Sequence, residues 1–176
     1  MEPFETDITE QTKHVINSGG LTYDLFWQEY KHKLSFFTSA QHVDRNSYYG
    51  AQQDPNAYGK TDDLTFVGGA MYVGNFARVL FSPATFTAGL EYQHNQMHDQ
   101  MPGYGRDLRQ KVQIASAFFQ NEWQMNDFTL LAGFRLDEHN LIENLIFSPR
   151  VNFLYKPSDA FQGRLTWSTG FRAPQA

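Results

Sequence analysis

The chain has 176 residues, enough for one domain or two small ones, and its 14 basic and 19 acidic residues give a net charge of −5. The negative balance disfavours nucleic-acid binding, and the absence of cysteine excludes disulfides, cysteine-based zinc sites and thiol catalysis. No apolar run approaches the ~18 residues of a membrane helix. The aromatic content of 16% favours strands. The mean hydropathy of −0.53 fits a soluble protein, and it also fits a membrane β-barrel, in which alternating residues cancel.

Alternation of apolar and polar residues predicts an all-β protein of about eight strands. In residues 84–93, for example, Phe86 and Leu90 share one face, whereas Thr87 and Glu91 share the other. The predicted strands, in chain order, are 20–28, 33–43, 64–73, 84–93, 111–123, 128–137, 147–156 and 161–170. Each approaches the ~9–11 residues that a tilted membrane strand needs, and no helix is predicted.

The connections between these strands alternate in length. The shorter ones are predicted at 30–32, 75–83, 125–127 and 157–160, and the longer ones at 44–63, 94–110 and 138–146. This alternation is typical of an antiparallel up-and-down meander with short turns at one end and recognition loops at the other.

The charged residues of these strands lie opposite an apolar face, which leaves two interpretations open. Their polar face could line the wet lumen of a transmembrane β-barrel, or it could be the solvated side of a soluble all-β ligand- or carbohydrate-binding module. The residues concerned include Glu91, Arg135, Asp137, Arg150 and Arg164. A barrel turns its apolar face toward lipid, whereas a sandwich buries that face against a second sheet.

No motif predicts catalysis, a metal site or a cofactor. Gly59-Lys60-Thr61 has Asp54 where a phosphate-binding loop requires glycine, and no helix is predicted after it. His94 and His98 have a spacing that suits a metal only on a helix. We therefore expect a protein that is not an enzyme.

The two longest connections carry the candidate ligand-contacting residues. Aromatic rings mixed with amide side chains suit stacking on sugars or large ring systems, although the same rings can also pack the loops together. These candidates are Tyr48, Tyr49, Tyr58, His94, His98 and Tyr104.

Three C-terminal motifs carry a family resemblance. They are the 147–157 stretch FSPRVNFLYKP, the 165–175 stretch LTWSTGFRAPQ and the 132–137 stretch AGFRLD. Together they resemble the barrel of TonB-dependent outer-membrane receptors, and the resemblance extends over residues 17–176. It implies an outer-membrane protein that takes up a scarce nutrient, such as a metal chelate, a vitamin or a glycan. The implied partners are outer-membrane lipid, a plug domain, the TonB energy-coupling protein and the ligand, and no nucleic acid.

The resemblance also implies a larger molecule than this chain. A receptor of this kind has a 22-stranded barrel with a plugged lumen, whereas about eight strands are predicted here. We therefore expect a slice of a large transmembrane β-barrel, without a plug and not competent for transport by itself. Residues 1–16 would form a polar N-terminal segment or an extra strand, and residues 17–176 the partial barrel. The resemblance further implies that Glu91, Arg135, Asp137, Arg150 and Arg164 contact the lumen or the plug.

Overall fold

Eight β-strands form one antiparallel sheet in the computed structural model, which describes residues 9–51 and 54–171. Each strand pairs with its neighbours in chain order, from β1 through β8. The strands are β1 (Thr9–Trp27), β2 (His32–Gly50), β3 (Tyr58–Val79), β4 (Ser82–Met101), β5 (Arg106–Met125), β6 (Phe128–His139), β7 (Ile146–Ser158) and β8 (Phe161–Ser168). The predicted all-β class and the eight-stranded meander are confirmed.

Several strands are much longer than the sequence predicts. The predicted connections 44–63 and 94–110 are wrong over most of their length, because β2 continues to Gly50, β4 to Met101, and β5 begins at Arg106. Among the described residues, the chain leaves the sheet there only at 51, 54–57 and 102–105, and short 3₁₀ helices form at Pro55–Ala57 and Pro102–Tyr104. The added strand segments are polar on both faces, so they carry no alternation of hydropathy to detect.

Tight turns join the strands at 28–31, 80–81, 126–127 and 159–160. The connection predicted among the shorter ones at 75–83 is shorter than its predicted bounds, because β3 runs to Val79 and β4 begins at Ser82. Leu80 occupies this turn with a φ of 61°, and Tyr30 in the first turn has a φ of 65°. Both values lie in the left-handed region, which most L-residues avoid.

In the second unit of the chain, which contains 114–171, the sheet has one apolar and one polar face, as the register of β5, β6 and β7 shows. Leu136 pairs with Ala117 and Phe147 on the apolar face, and the preceding residue, Arg135, pairs with Phe118 and Ser148 on the polar face. Large apolar side chains remain exposed, among them Leu21, Leu90, Phe147, Leu165 and Trp167. No second sheet covers them in residues 9–51 and 54–171. This arrangement favours the barrel interpretation over the sandwich.

Phenylalanine rings lie directly over glycines of neighbouring strands. A Cβ added at Gly89 would stand 2.8 Å from Phe118 Cε1 and 2.7 Å from the Ala70 carbonyl oxygen. At Gly69, an added Cβ would stand 2.6 Å from Phe37 Cζ and would collide with the Leu90 carbonyl oxygen. Glycine is therefore required at both positions by close approach of a ring and a backbone strand.

The chain divides into two compact units. The first comprises 1–20, 39–67 and 93–113, and the second comprises 21–38, 68–92 and 114–176. The expected division after residue 16 stays a prediction. Most of the Gly170–Pro174 motif lies outside the described residues. Within the described part of the chain, no helix is long and apolar enough to cross a membrane.

Candidate functional site

The candidate tyrosines lie around the 51–57 and 102–105 connections of the first unit. Tyr48 is only 2% exposed and packs edge-on against Tyr58, with the ring centroids 4.7 Å apart. Tyr49, Tyr58 and Tyr104 are exposed. The last three therefore offer ring surface to a ligand. Tyr48 does not, because it is buried against Tyr58.

The two connections touch each other. An added Cβ at Gly103 would collide with the carbonyl oxygen of Asn56, so the two 3₁₀ helices meet with backbone against backbone. An added Cβ at Gly50 would lie 2.5 Å from Ala57 Cβ. Tyr58 follows the first of these helices, and Tyr104 ends the second. The contact thus brings the segments that carry two exposed tyrosines close together.

His94 and His98 both lie in β4 and not in a loop. Four residues of extended chain separate their Cα atoms by about 13 Å, too far for both to bind one metal ion. His98 Nε2 lies 2.7 Å from Asp107 Oδ1, and this hydrogen bond, followed by the charges of His98 and Arg109, lowers the pKa of Asp107. The described residues contain no group of three or more potential metal-binding side chains.

Arg135 is the centre of a polar cluster that joins β4, β5 and β6 in the second unit. Its Nε donates to Asp137 Oδ1 at 2.7 Å, and its Nη2 donates at 2.7 Å to both Glu91 Oε1 and Ser116 Oγ. Ser116 in turn donates to Asp137 Oδ1 at 2.5 Å. We call Glu91, Ser116, Arg135 and Asp137 the Arg135 cluster. One guanidinium binds two carboxylates here, so the cluster links β4, β5 and β6 to one another.

Arg150 and Arg164 do not join that cluster. Together with Glu122 and Asn152 they line a pocket of about 280 Å³ in the second unit, which we call the basic pocket. Neither side chain makes a hydrogen bond or an ion pair within the described residues. The remaining described arginines each contact an acceptor: Arg45, Arg78, Arg106, Arg109 and Arg135. Among the described residues, the guanidinium groups that meet no acceptor therefore lie in the basic pocket, where they are available to an anion.

A second polar cluster, around the buried Asp99 in the first unit, was not predicted. Asp99 contacts Thr61, Arg45 and Arg106, which lie on three other strands. No signal in the sequence identifies it, because the four residues come together only through the register of β2 to β5.

Aromatic side chains also form a network in the second unit, from the first turn to β7. His32 stacks on Trp27 with centroids 5.4 Å apart, and its Nδ1 lies 2.6 Å from the Tyr72 hydroxyl. Further ring contacts join Phe86 to Phe119 at 4.9 Å and Phe119 to Phe134 at 5.7 Å. Of these rings, Trp27 ends β1 and His32 begins β2, and amphipathic rings at strand ends are typical of the membrane–water interface of a barrel.

A single antiparallel meander with one polar face and one uncovered apolar face is the structure of a transmembrane β-barrel wall. The family model for the TonB dependent receptor-like β-barrel matches residues 4–176, so the chain belongs to that family. Comparison with curated proteins gives no match.

Among solved structures, the chain is similar to the ferric citrate transporter FecA in its unliganded form. The TM-score is 0.58 at 13% sequence identity, and the match covers 85% of this chain. The chain spans about a quarter of the length of that structure, since the match covers 26% of it. At this identity the likeness shows the fold alone.

Proposed function

We propose that this chain is part of an outer-membrane TonB-dependent receptor that takes up a scarce nutrient. The observation that carries the proposal is the family match over residues 4–176. The exposed apolar face supports it, because in a bilayer that face would contact lipid. The nutrient class is a metal chelate, a vitamin or a glycan, and the ferric citrate named for FecA is one example of a chelate.

The chain alone is not expected to transport. Its eight strands form an open sheet, and an open sheet encloses no channel. Transport would need a complete barrel, together with a plug domain and the TonB energy-coupling protein, as in other receptors of this family. The first unit would supply ligand contacts through Tyr49, Tyr58 and Tyr104, with His94 and His98 nearby on β4.

The polar face would line the lumen, and its two sets of charged residues, the Arg135 cluster and the basic pocket, would have different roles. The Arg135 cluster is held together by its own hydrogen bonds and would stiffen the wall. In the basic pocket, the guanidinium groups of Arg150 and Arg164 meet no acceptor from the described part of the chain, and they would receive a carboxylate of the plug. This division refines the expectation that all five charged residues contact the lumen or the plug.

A growth experiment tests the function. A strain lacking the receptor that contains this chain is grown with ferric chelates, cobalamin or oligosaccharides as the limiting nutrient. We expect a growth defect on one class, restored by the complete receptor and not by residues 1–176 alone. Normal growth on every class, with the protein absent from the outer-membrane fraction, would refute the proposal.

Hydrogen–deuterium exchange tests the division of roles on the polar face. In the complete receptor, Arg150→Ala combined with Arg164→Ala should accelerate exchange in the plug and leave the barrel strands unchanged. Arg135→Ala should instead accelerate exchange in β4, β5 and β6. The matched control is Arg78→Ala, because Arg78 only donates to the Leu80 carbonyl at an exposed turn. Plug exchange that is the same in the double variant and the control would contradict the assignment.

A further inference from the structure

The first unit contains a carboxylate that is shared by three donors on three strands. Asp99 on β4 is 4% exposed, and Thr61 on β3 donates to its Oδ1 at 2.5 Å. Arg45 on β2 donates to the same oxygen at 3.3 Å, and Arg106 on β5 donates to Oδ2. Arg45 also donates to Thr61 Oγ1 through Nη2 at 2.7 Å and Nε at 3.1 Å. We call these four residues the Asp99 cluster.

The geometry of the Asp99 cluster fixes the register of the strands that it joins. Both oxygens of Asp99 are occupied, and each donor comes from a different strand. A buried carboxylate is tolerated only when its partners stay in place, since losing one leaves an uncompensated buried charge. A slip of one residue in any of these strands would turn its donor to the opposite face. The cluster therefore favours one register for β2, β3, β4 and β5.

The same strands lead directly into the two connections around which the tyrosines lie. Arg45 precedes Tyr48 by three residues, Thr61 follows Tyr58 by three, and Arg106 follows Tyr104 by two. Few residues of backbone therefore separate the Asp99 cluster from the tyrosine side chains.

The residues between the Asp99 cluster and the tyrosine side chains are tightly packed. A Cβ added at Gly59 would lie 2.7 Å from Ser47 Oγ and 3.2 Å from the Gln100 carbonyl oxygen. Ser47 is two residues from Arg45, and Gln100 adjoins Asp99. A shift in the Asp99 cluster must therefore reach the neighbouring layer, because no free space there absorbs it.

We propose that Asp99 is a positioning residue for recognition, which fixes the register of β2 to β5 and so holds Tyr49, Tyr58 and Tyr104 in one arrangement. Contact between these tyrosines and the nutrient rests on the proposed function. The fixed arrangement of the three side chains does not depend on it. Holding the rings in place before the ligand arrives removes an ordering cost from binding. Asp99 touches no ligand in this scheme and acts only through its donors.

The test uses Asp99→Asn in the complete receptor, with tetranitromethane as a tyrosine probe. Asparagine keeps the shape of the side chain and removes its charge, which leaves Arg45 and Arg106 without a counter-ion. In the parent protein the buried Tyr48 should resist nitration, while its exposed neighbour Tyr49 reacts. In the variant we expect Tyr48 nitration to rise by at least about tenfold, because a buried amide cannot accept from all three donors and the region opens locally. Amide exchange should accelerate in 46–58 and 101–106.

Asp62→Asn is the matched control. Asp62 also lies on β3 of the first unit, but it is exposed and forms an ion pair only with His42, at 2.8 Å. Removal of this charge should leave Tyr48 protected, since exposed pairs contribute little. A second variant, Arg106→Lys, keeps the charge but loses the planar fork, and should raise Tyr48 nitration by a smaller factor.

Two results would overturn the proposal. One is Tyr48 protection that is unchanged in both Asp99→Asn and Arg106→Lys. The other is faster exchange spread evenly over β6, β7 and β8, which would indicate general destabilisation and not positioning. If Asp99→Asn does not fold, Arg106→Lys alone decides between these outcomes. The readout needs no nutrient, so it is independent of the growth experiment, and a failure of the proposed function would leave it standing.

Discussion

Replacement of Gly89 by alanine tests the close packing of rings over glycines. The new methyl group would stand 2.8 Å from Phe118 Cε1 and 2.7 Å from the Ala70 carbonyl oxygen. The ring can rotate away, but the carbonyl belongs to the paired backbone of β3 and cannot. Overpacking of this kind costs about 1–3 kcal/mol, while alanine in place of glycine in a strand contributes about 0.5–1 kcal/mol. We therefore expect a net loss of about 1 kcal/mol, and at most about 2.5 kcal/mol, in the free energy of unfolding.

Urea unfolding in phospholipid vesicles, followed by tryptophan fluorescence, measures this loss in the complete receptor. The matched control is Gly163→Ala on β8, where the nearest atom to the new Cβ is 3.8 Å away. That variant should be stabilised by about 0.5–1 kcal/mol, because alanine restricts the unfolded chain more than glycine does.

A third variant separates the ring from the backbone. Gly89→Ala combined with Phe118→Leu removes the ring contact and keeps the Ala70 contact, so the two substitutions should not be additive. Equal unfolding free energies for Gly89→Ala and Gly163→Ala would refute the reasoning, because both alanines would then fit without strain.

Two further predictions concern the faces of the sheet and the pH response. Leu90 is 64% exposed on the apolar face, so Leu90→Arg should cost about 2–4 kcal/mol in vesicles if it lies near the bilayer midplane. Thr87→Arg, on the polar face, should cost far less, and equal losses would show that the face assignment is wrong. The hydrogen bond from His98 lowers the pKa of Asp107, so its stabilising contribution should be complete above the ordinary aspartate pKa and lost as pH falls through the folded-state value. His98→Ala should raise the pKa of Asp107 toward its ordinary value, as followed by the carboxyl carbon-13 shift, and an unchanged titration would contradict this cause.

The sequence predicts the strands well where one face is apolar and the other is polar. Residues 84–93 and 128–137 lie within β4 and β6, because Phe86, Leu90 and Leu136 mark one face unambiguously. The same method fails at 44–50 and 94–101, where both faces carry polar side chains and the period of two becomes invisible. The strand number was therefore predictable, whereas the strand lengths were not.

Contacts within the two polar clusters could be predicted only where both residues lie on the same strand. Arg135 and Asp137 are two residues apart and share a face, so their contact follows from strand geometry alone. The addition of Glu91 and Ser116 depends on the register of β4 and β5, which no local pattern specifies. The same holds for the four strands that meet at Asp99. Ligand contact by the tyrosines and histidines stays a prediction.

The tight turn between β3 and β4 has a consequence for depth in the bilayer. Leu80 takes a left-handed backbone conformation, a strain of order 1–3 kcal/mol for a residue other than glycine, and yet its side chain is 74% exposed. Phe81 beside it is exposed as well. Placed in the interfacial layer of a bilayer, the two side chains would recover about 1.5–3 kcal/mol each by burial, enough to offset the strain. In that setting, burial of the hairpin tip would favour the depth of the sheet at which Leu80 and Phe81 lie in the interfacial layer.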